Sequence, residues 1–422
     1  KTTAFGLYDN GVVGLLEISN DQGSLYSSHD PRHRFWTIRS KHIILATGAF
    51  ERSLAFGNND LPGVMTSNAS RAYLNRFGIL PGKEIIICTN NDSSYDVACD
   101  LAKEGARVRL IDARSSVENS LSEKVLHSGV ILQMNAAPLN AKGFRSIKKL
   151  ELAVNENGNW KKESTENCDL LSISGGWSPT LHLLSHKGFN PVWNKENACF
   201  IPGKSHENIT FVGSALGLWN NEDCISSGLS AGLKLANIFG KKKTEYSFPQ
   251  VGGWLTKIKP LYEIKVKGYK TKSFVDFQHD VTADDIRLAY REGFISVEHL
   301  KRYTTLGMAN DQGKMGNIIG IALLADSLKK EIPEIGTTKF RPPFTPISIG
   351  ALAGRNTGKH FRPLRRSAIH DWNLENGAVM IEAGLWQRPW YFPKENETIA
   401  EAYIREATVT REAVGICDVS SL

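Results

Sequence analysis

The rhythm of apolar and polar residues changes several times along this chain. Near the start the two alternate: Phe5–Tyr8, Val12–Ile18 and Phe35–Ile38 read as strands of β-hairpins, with turns at Asp9-Asn10-Gly11 and Asp21-Gln22-Gly23. Alternation then gives way to short continuous apolar runs, as expected for strands buried on both faces. His42–Leu45 is the first such run, and it enters a small-residue turn, Ala46-Thr47-Gly48-Ala49. With no bulky side chain there, the backbone can come close to a cofactor. Ile85–Ile87 opens a strand–turn–helix–strand unit over Lys83–Arg114. Asp92 or Ser93 caps its helix, Val97, Ala98, Leu101 and Ala102 recur at helical spacing, and Gly105 closes it before the strand Val108–Ile111 and Asp112. Short strands follow to Ser174. Ile209–Val212 then meets Gly213 and Ser214, and a helix from near Asn221 carries Ser and Gly on one face.

The second half turns helical. Thr282-Ala-Asp-Asp can take up the orphan amides of a first turn, and Ile286, Ala289, Tyr290 and Phe294 lie on one stripe of the helix it starts. Further helices are expected around Val297–Arg302 and over Ile318–Ser327. Phe340–Pro346 is extended or turning, because its prolines fix φ and remove donors. Residues 241–260 read as a linker, and Arg362–Leu422 mixes strands and helices in a new composition. The class is α/β and α+β multidomain. A dinucleotide-binding domain is expected over 1–245, with a second βαβ unit inserted at about 50–150. A small helical domain over 255–335 and a further domain beginning at 345–422 follow.

Lys83–Arg114 has the frame of a dinucleotide site, with an acidic residue about 20 positions past the turn. The glycines that let a backbone touch a pyrophosphate are missing. Thr89, Asn90, Asn91, Asp92, Ser93 and Ser94 stand in their place, so the phosphate grip is altered. Asp112 therefore reads as a helix-capping or solvated strand-end carboxylate rather than a ribose ligand, and Arg114 as a surface partner rather than a 2′-phosphate ligand.

Composition narrows the classes. The chain has 422 residues, 41% hydrophobic and 23% charged, as in ordinary globular proteins. Its net charge of +7 is spread over short patches, without the basic helix or aromatic platform of a nucleic-acid binder. Six cysteines without a C-x-x-C pair point to reduced thiols in a cytoplasmic protein. Cys417, after a β-like run, reads as a buried small hydrophobe. No metal-ligand spacing links His279, His299, His360 and His370, and no G-x-S-x-G elbow is present. No apolar run reaches membrane-spanning length.

The order of an ATG turn, an inserted βαβ unit and a strand–Gly–helix segment resembles the two-dinucleotide-binding-domain flavoproteins. In that family the late strand ends in Gly-Asp; this chain has Gly213-Ser214, so a simpler dinucleotide than FAD is expected here. More specifically, five segments resemble the α subunit of heterotetrameric sarcosine oxidase: HIILATGAFERSLAFGNNDLPGVM from His42, TNNDSSYDVACDLAKEGARVRLIDAR from Thr89, DVTADDIRLAYREGFISVEHLKRYTTLGMANDQGK from Asp280, FRPPFTPISIGALAGR from Phe340, and TREAVGICDVSSL from Thr410. The resemblance implies that both ends continue, into a glycine-rich dinucleotide loop before Lys1 and into most of a folate-binding, aminomethyltransferase-like domain after Leu422. It implies NAD on this chain, with Thr47, Gly48, Gly213 and Ser214 lining the site. It implies tetrahydrofolate on the last domain, FAD on a β subunit that oxidises the amine, and γ and δ subunits completing the heterotetramer. FMN is implied at the α–β boundary. Lys301, Arg302, Thr304, Thr305, Gln312 and Lys314 around Gly307 offer the charge and directed donors a phosphate needs. Without the resemblance, Lys301 and Arg302 are helix-end cations. Two other readings stay open: a related complex acting on proline, opines or other secondary amines, and an assembly subunit that binds no cofactor.

Overall fold

A computed structural model describes residues 1–19, 31–204, 208–241 and 258–419. The turn expected at Asp21-Gln22-Gly23 and most of the 241–260 linker lie outside the described residues. The chain divides into two compact units, Lys1–Glu17 with Trp36–Pro346, and Ile18–Phe35 with Ile347–Leu422.

The first unit is built on two parallel sheets. The larger has five strands in the order Val64–Thr66, Leu170–Ser174, Glu84–Thr89, Arg107–Asp112 and Ile131–Met134. Its apolar runs are explained by what covers each face. Ile85 and Ile87 pack with Tyr95, Val97, Ala98 and Leu101 of the Ser93–Lys103 helix. Ile86 and Cys88 point the other way, into Leu139, Ile147, Leu150 and Leu152 of the antiparallel meander Ala136–Gly143, Ile147–Glu156 and Asn159–Asn167. A strand buried on both sides cannot alternate, so the isoleucines run on without a break.

The smaller sheet pairs Ile43–Leu45 with Ile209–Phe211 in parallel, Leu45 opposite Phe211. Two segments pass between the sheets, and they pair with each other antiparallel, Trp177 opposite Glu51 and Pro179 opposite Ala49. Both parallel sheets are thus held in one unit by a chain that leaves one, builds the other and returns.

The helical part has its own core of Val275, Ile286, Ala289, Leu300, Leu306, Ile319 and Leu324. Its helices run over Ala283–Arg291, Val297–Thr304 and Asn317–Leu328. Thr282 starts the first as expected: its Oγ accepts from the Asp285 amide while the Asp285 carboxylate accepts from the Thr282 amide. Asn59 ties this part to the first, donating to the Leu54 and Phe274 carbonyls and accepting from the Phe274 amide.

The second unit contains a three-stranded sheet, Arg365–Arg366 beside Trp386–Tyr391 beside Val379–Ala383, and the helices His370–Glu375 and Ile399–Glu412. Cys417 corrects the expectation of a buried hydrophobe: it is exposed. The preceding helix stops at Glu412, no strand follows it among the described residues, and Val414 and Ile416 are exposed as well. No helix among the described residues is long and apolar enough to cross a membrane. Loss of the reciprocal cap makes Thr282→Ala less stable by roughly 1 kcal/mol, which a chemical-denaturation midpoint would register; an unchanged midpoint would refute the cap's contribution.

Candidate dinucleotide-binding site

The two strands of the smaller sheet end side by side, and their turns meet. The Val212 amide donates to the Leu45 carbonyl at 3.1 Å, so the chain leaves both strands in register. Gly48 and Gly213 follow with φ of 75° and 66°, a left-handed conformation that glycine adopts without strain. A Cβ placed on Gly48 would meet only Ser214 Oγ, at 3.9 Å, and one on Gly213 only Cys224, at 3.8 Å or more. Nothing nearer fills the space over either glycine. Thr47 Oγ1 donates to the Thr180 carbonyl and the Thr180 amide donates to the Gly48 carbonyl, both at 2.9 Å. The Gly213 amide donates to Ser227 Oγ of the helix Asn221–Ile238 at 2.9 Å. Thr47, Gly48, Gly213 and Ser214 are therefore brought together at the carboxyl ends of parallel strands, where open α/β sheets hold nucleotides. Thr47 and Ser227 fix the turns, and bare backbone is left toward the open side. That geometry fits a dinucleotide.

The turn of the inserted unit is the opposite case. Asn90, Asn91, Ser93 and Ser94 are buried. Asp92, one of the two residues expected to cap the helix, stands at its N-cap without a side-chain cap bond, and Asn91 Oδ1 accepts from the Ser93 amide at 3.0 Å. Asn90 Nδ2 donates to the Lys259 carbonyl at 2.9 Å, the Lys259 amide returns a bond to the Asn90 carbonyl, and Trp177 Nε1 donates to Ser93 Oγ. Protein groups occupy the place of a pyrophosphate.

Asp112 and Arg114 depart from expectation. Asp112 is neither a cap nor solvated: it is fully buried, taking Arg114 Nη2 at 2.7 Å and Tyr95 Oη at 2.8 Å. Arg114 is not on the surface; it is buried, its Nη1 reaching Asp92 Oδ1 at 2.6 Å. Burial works against the Arg114 charge, but the two carboxylates outweigh it and hold the guanidinium protonated. Burial, helped by Asp112, keeps the Tyr95 hydroxyl protonated. A ribose hydroxyl would find the acid already saturated.

In the helix-end set, Lys301, Gln312 and Lys314 turn their donors to one segment of this chain, residues 339–344. Lys301 Nζ donates to the Lys339 carbonyl at 2.9 Å. Gln312 Nε2 donates to the Arg341 carbonyl at 2.8 Å, and Gln312 Oε1 accepts from the Arg341 amide. Lys314 Nζ lies 3.5 Å from the Phe344 carbonyl. Thr304 Oγ1 and Thr305 Oγ1 donate back to the Leu300 and Thr304 carbonyls. Arg302 is exposed. A phosphate here would have to draw donors away from residues 339–344, so the arrangement fits a clamp on that segment and not a ready phosphate cradle.

Three functional-looking residues escaped the sequence reading: Glu51, Arg52 and His182, all buried. For the first two the signal was a charged pair set between Phe50 and Leu54-Ala-Phe. Arg52 Nη1 donates to the Ala198 carbonyl at 2.7 Å. Glu51 Oε2 accepts from the Asn68 amide at 2.7 Å, while Oε1 has no partner among the described residues. Burial pushes the Glu51 carboxyl up to about 7. His182 is packed among Phe50, Phe340 and Phe344, and burial, with Lys314 nearby, keeps its ring neutral.

Comparison with known proteins agrees with this architecture. Residues 32–199 match the family described as pyridine nucleotide-disulphide oxidoreductase, which makes that part of the first unit a Rossmann-type oxidoreductase domain. Residues 270–355 match the sarcosine oxidase A3 domain and residues 369–422 the GCVT N-terminal domain. The whole chain is 40% identical to the alpha subunit of sarcosine oxidase from Rhizobium meliloti (strain 1021) and 35% identical to that from Corynebacterium sp. (strain P-1). It spans 42% and 45% of their lengths. The likeness to sarcosine oxidase alpha subunits thus runs through the whole of this chain. An opine oxidase subunit of Rhizobium meliloti (strain 1021) is 22% identical over 75% of the chain and 76% of its own length. Among solved structures, L-proline dehydrogenase from P. horikoshii shares the fold with a TM-score of 0.59 at 17% identity, over 83% of this chain and 64% of that one.

Two variants test the buried charges. Arg114→Met leaves Asp112 buried without a counter-ion and should cost roughly 3 kcal/mol or more in denaturant unfolding; a near-neutral result would show that Tyr95 alone satisfies the acid. Glu51 holds its proton longer in the folded than in the unfolded chain, so its contribution to stability falls between its ordinary value of 4.5 and about 7 and is level above that. Glu51→Gln should therefore flatten the loss of stability from pH 5 to pH 8 by up to about 3 kcal/mol. An identical slope in the two proteins would show that Glu51 is ionised throughout.

Proposed function

We propose that this chain is the nucleotide-binding portion of the α subunit of a sarcosine oxidase-type complex in the cytoplasm. The complex would convert sarcosine, oxygen and water to glycine, hydrogen peroxide and formaldehyde, or, with tetrahydrofolate taking up the carbon in place of water, sarcosine and oxygen to glycine, hydrogen peroxide and 5,10-methylenetetrahydrofolate. The observation that carries the reading is the unbroken likeness to sarcosine oxidase α subunits, running through the A3 domain into the start of a GCVT domain. Amine oxidation is assigned to a β subunit carrying FAD, with γ and δ subunits as further partners.

Within this chain we assign NAD to the cradle of Thr47, Gly48, Gly213 and Ser214. NAD would supply a dinucleotide whose backbone-facing groups need close approach; Gly48 and Gly213 permit that approach, and Thr47 and Ser227 hold the turns still. FMN is proposed at the boundary with β, beside the segment Lys301–Lys314, and is assigned to no single side chain, because the donors there hold residues 339–344. Tetrahydrofolate is proposed for the domain that begins near 345. The inserted unit is read as scaffold.

A related proline- or opine-oxidising complex is the second reading. The shared fold with L-proline dehydrogenase and the likeness to an opine oxidase subunit favour it, and the GCVT match weighs against it. Steady-state rates of the full complex on sarcosine, proline and octopine, with and without tetrahydrofolate, separate the two; a preference for proline or octopine would overturn the first. The cradle assignment has its own test. In nucleotides released from the complex and weighed by mass spectrometry, Asn91→Gly with Ser94→Gly should leave NAD content unchanged, and Gly48→Val should lower it sharply. The reverse pattern would move NAD to the inserted unit, and no NAD in the parent complex would favour an assembly role.

A further inference from the structure

Behind the segments that join the two sheets lies a cavity of about 340 Å³ that shares no residue with the dinucleotide cradle. We propose that this cavity binds a small, flat, apolar molecule carrying one negative charge, of the class of aromatic carboxylates.

The shape of the walls gives the apolar, flat part. Phe50, Phe200 and Phe340 line the space with His182, whose ring is stacked on Phe344. The volume lies in the range of small-ligand sites, which are mostly apolar with a few placed polar groups. Aromatic walls favour a ring, because stacked and edge-on contacts add to simple burial.

Lys314 gives the charge. It lines the cavity, is half-buried, and forms no ion pair among the described residues. Its ammonium rests over the Phe344 ring at 4.0 Å and reaches the Phe344 carbonyl only at 3.5 Å. Burial weakens its hold on the proton and nearby Asp311 partly restores it. An anion entering the cavity would supply the counter-charge that desolvation leaves wanting. Lys339 is the other cation on the lining, and it is exposed, so one charge and not two is matched in the interior.

One orphaned polar atom gives the anchor. His182 lines the cavity and is 6% exposed, and its Nε2 has no hydrogen-bond partner among the described residues. A buried polar atom is rarely left so, and it needs a water or a ligand group. A carboxylic acid derivative offers an acceptor for an imidazole N–H and an anion for Lys314 in one group. The wall from Gly336 to Phe340 has no regular secondary structure and is held by Lys301 Nζ and by the Glu298 carboxylate, which accepts from the Lys339 amide at 2.7 Å. That wall can be displaced without breaking a sheet or helix.

The test uses the intact complex with 2-naphthoate and its neutral isostere 2-naphthamide, binding followed by calorimetry and the flavin spectrum by absorbance. Naphthoate should bind at least about tenfold more tightly than the amide, and Lys314→Met should remove that difference while leaving amide binding in place. Ser185→Trp, which fills the cavity from another wall, should abolish binding of both probes in a protein of unchanged melting temperature. Equal affinity for acid and amide, or no binding of either, would overturn the inference and leave a hydrated cavity. A shift of the flavin absorbance spectrum in step with naphthoate binding would also overturn it, since the space would then belong to the flavin; the proposed sarcosine activity would stand in either case.

Discussion

Arg52 is where the architecture is most constrained. The chain must leave a two-stranded parallel sheet, build a five-stranded one and come back, and both passages run through the interior, where no water satisfies the backbone. The Arg52 amide donates to the Gly176 carbonyl and the Gly175 amide to the Arg52 carbonyl, each at 2.8 Å. The guanidinium then reaches past the backbone to the carbonyls of Gly175 and Ala198. A Cβ on Gly175 would stand 2.3 Å from the Ser53 carbonyl, and one on Gly176 2.4 Å from Arg52 Nη2. The arginine and the two glycines are one device: the side chain fits because the facing strand has none. Burying a cation without a carboxylate is costly, and burial does weaken its hold on the proton. What offsets the cost is that carbonyls which would otherwise be orphaned at the crossing acquire a donor.

That crossing explains why two units of similar topology behave differently. In the smaller sheet the turn after Leu45 is held by Thr180, just past the crossing, and Gly48 and Gly213 leave the backbone beside it without side chains. In the inserted unit the corresponding turn faces inward, where Trp177 and Lys259 come down on it. Asparagine and serine suit such a place because their short side chains can satisfy neighbouring backbone groups. The loss of glycines after Thr89 is thus not damage to a phosphate loop. It is the polar lining of an internal junction.

Much of this was legible where the cause is local. The unbroken Ile85–Ile87 run, the helical spacing from Val97 to Ala102 and the Thr282 cap follow from periodicity and from hydrogen bonds spanning three residues, so a single sequence contains them. Asp112 and Arg114 were half legible. Residues two apart on an extended chain share a side, so their pairing was readable, but not that Tyr95 and Asp92 would close over them. Lys301, Gln312 and Lys314 were recognised as a cluster of donors, and they are one. Their acceptors, however, are carbonyls near 340, and backbone carbonyls carry no mark in a sequence. Cys417 failed for a related reason: burial belongs to what packs on a residue, and an apolar neighbourhood in the chain does not supply it.

The clamp on residues 339–344 also sets what the helical part can do. Lys301 sits on the helix Val297–Thr304 and Gln312 in the turn before Asn317–Leu328, helices whose core is closed by Leu300, Leu306 and Ile319, so their positions are fixed by packing that owes nothing to a ligand. The segment they grip has no strand partner of its own among the described residues and keeps its place through side-chain donors, one backbone bond from the Phe344 amide to the Phe5 carbonyl, and the burial of Phe344. Such a segment can be moved by anything that competes for those donors, and an anion is the natural competitor for lysine and glutamine. In this structure those residues grip carbonyls, and a charged group would have to take that grip over. Packing of the helices decides where the donors stand, and the competition between carbonyl and anion decides what they hold.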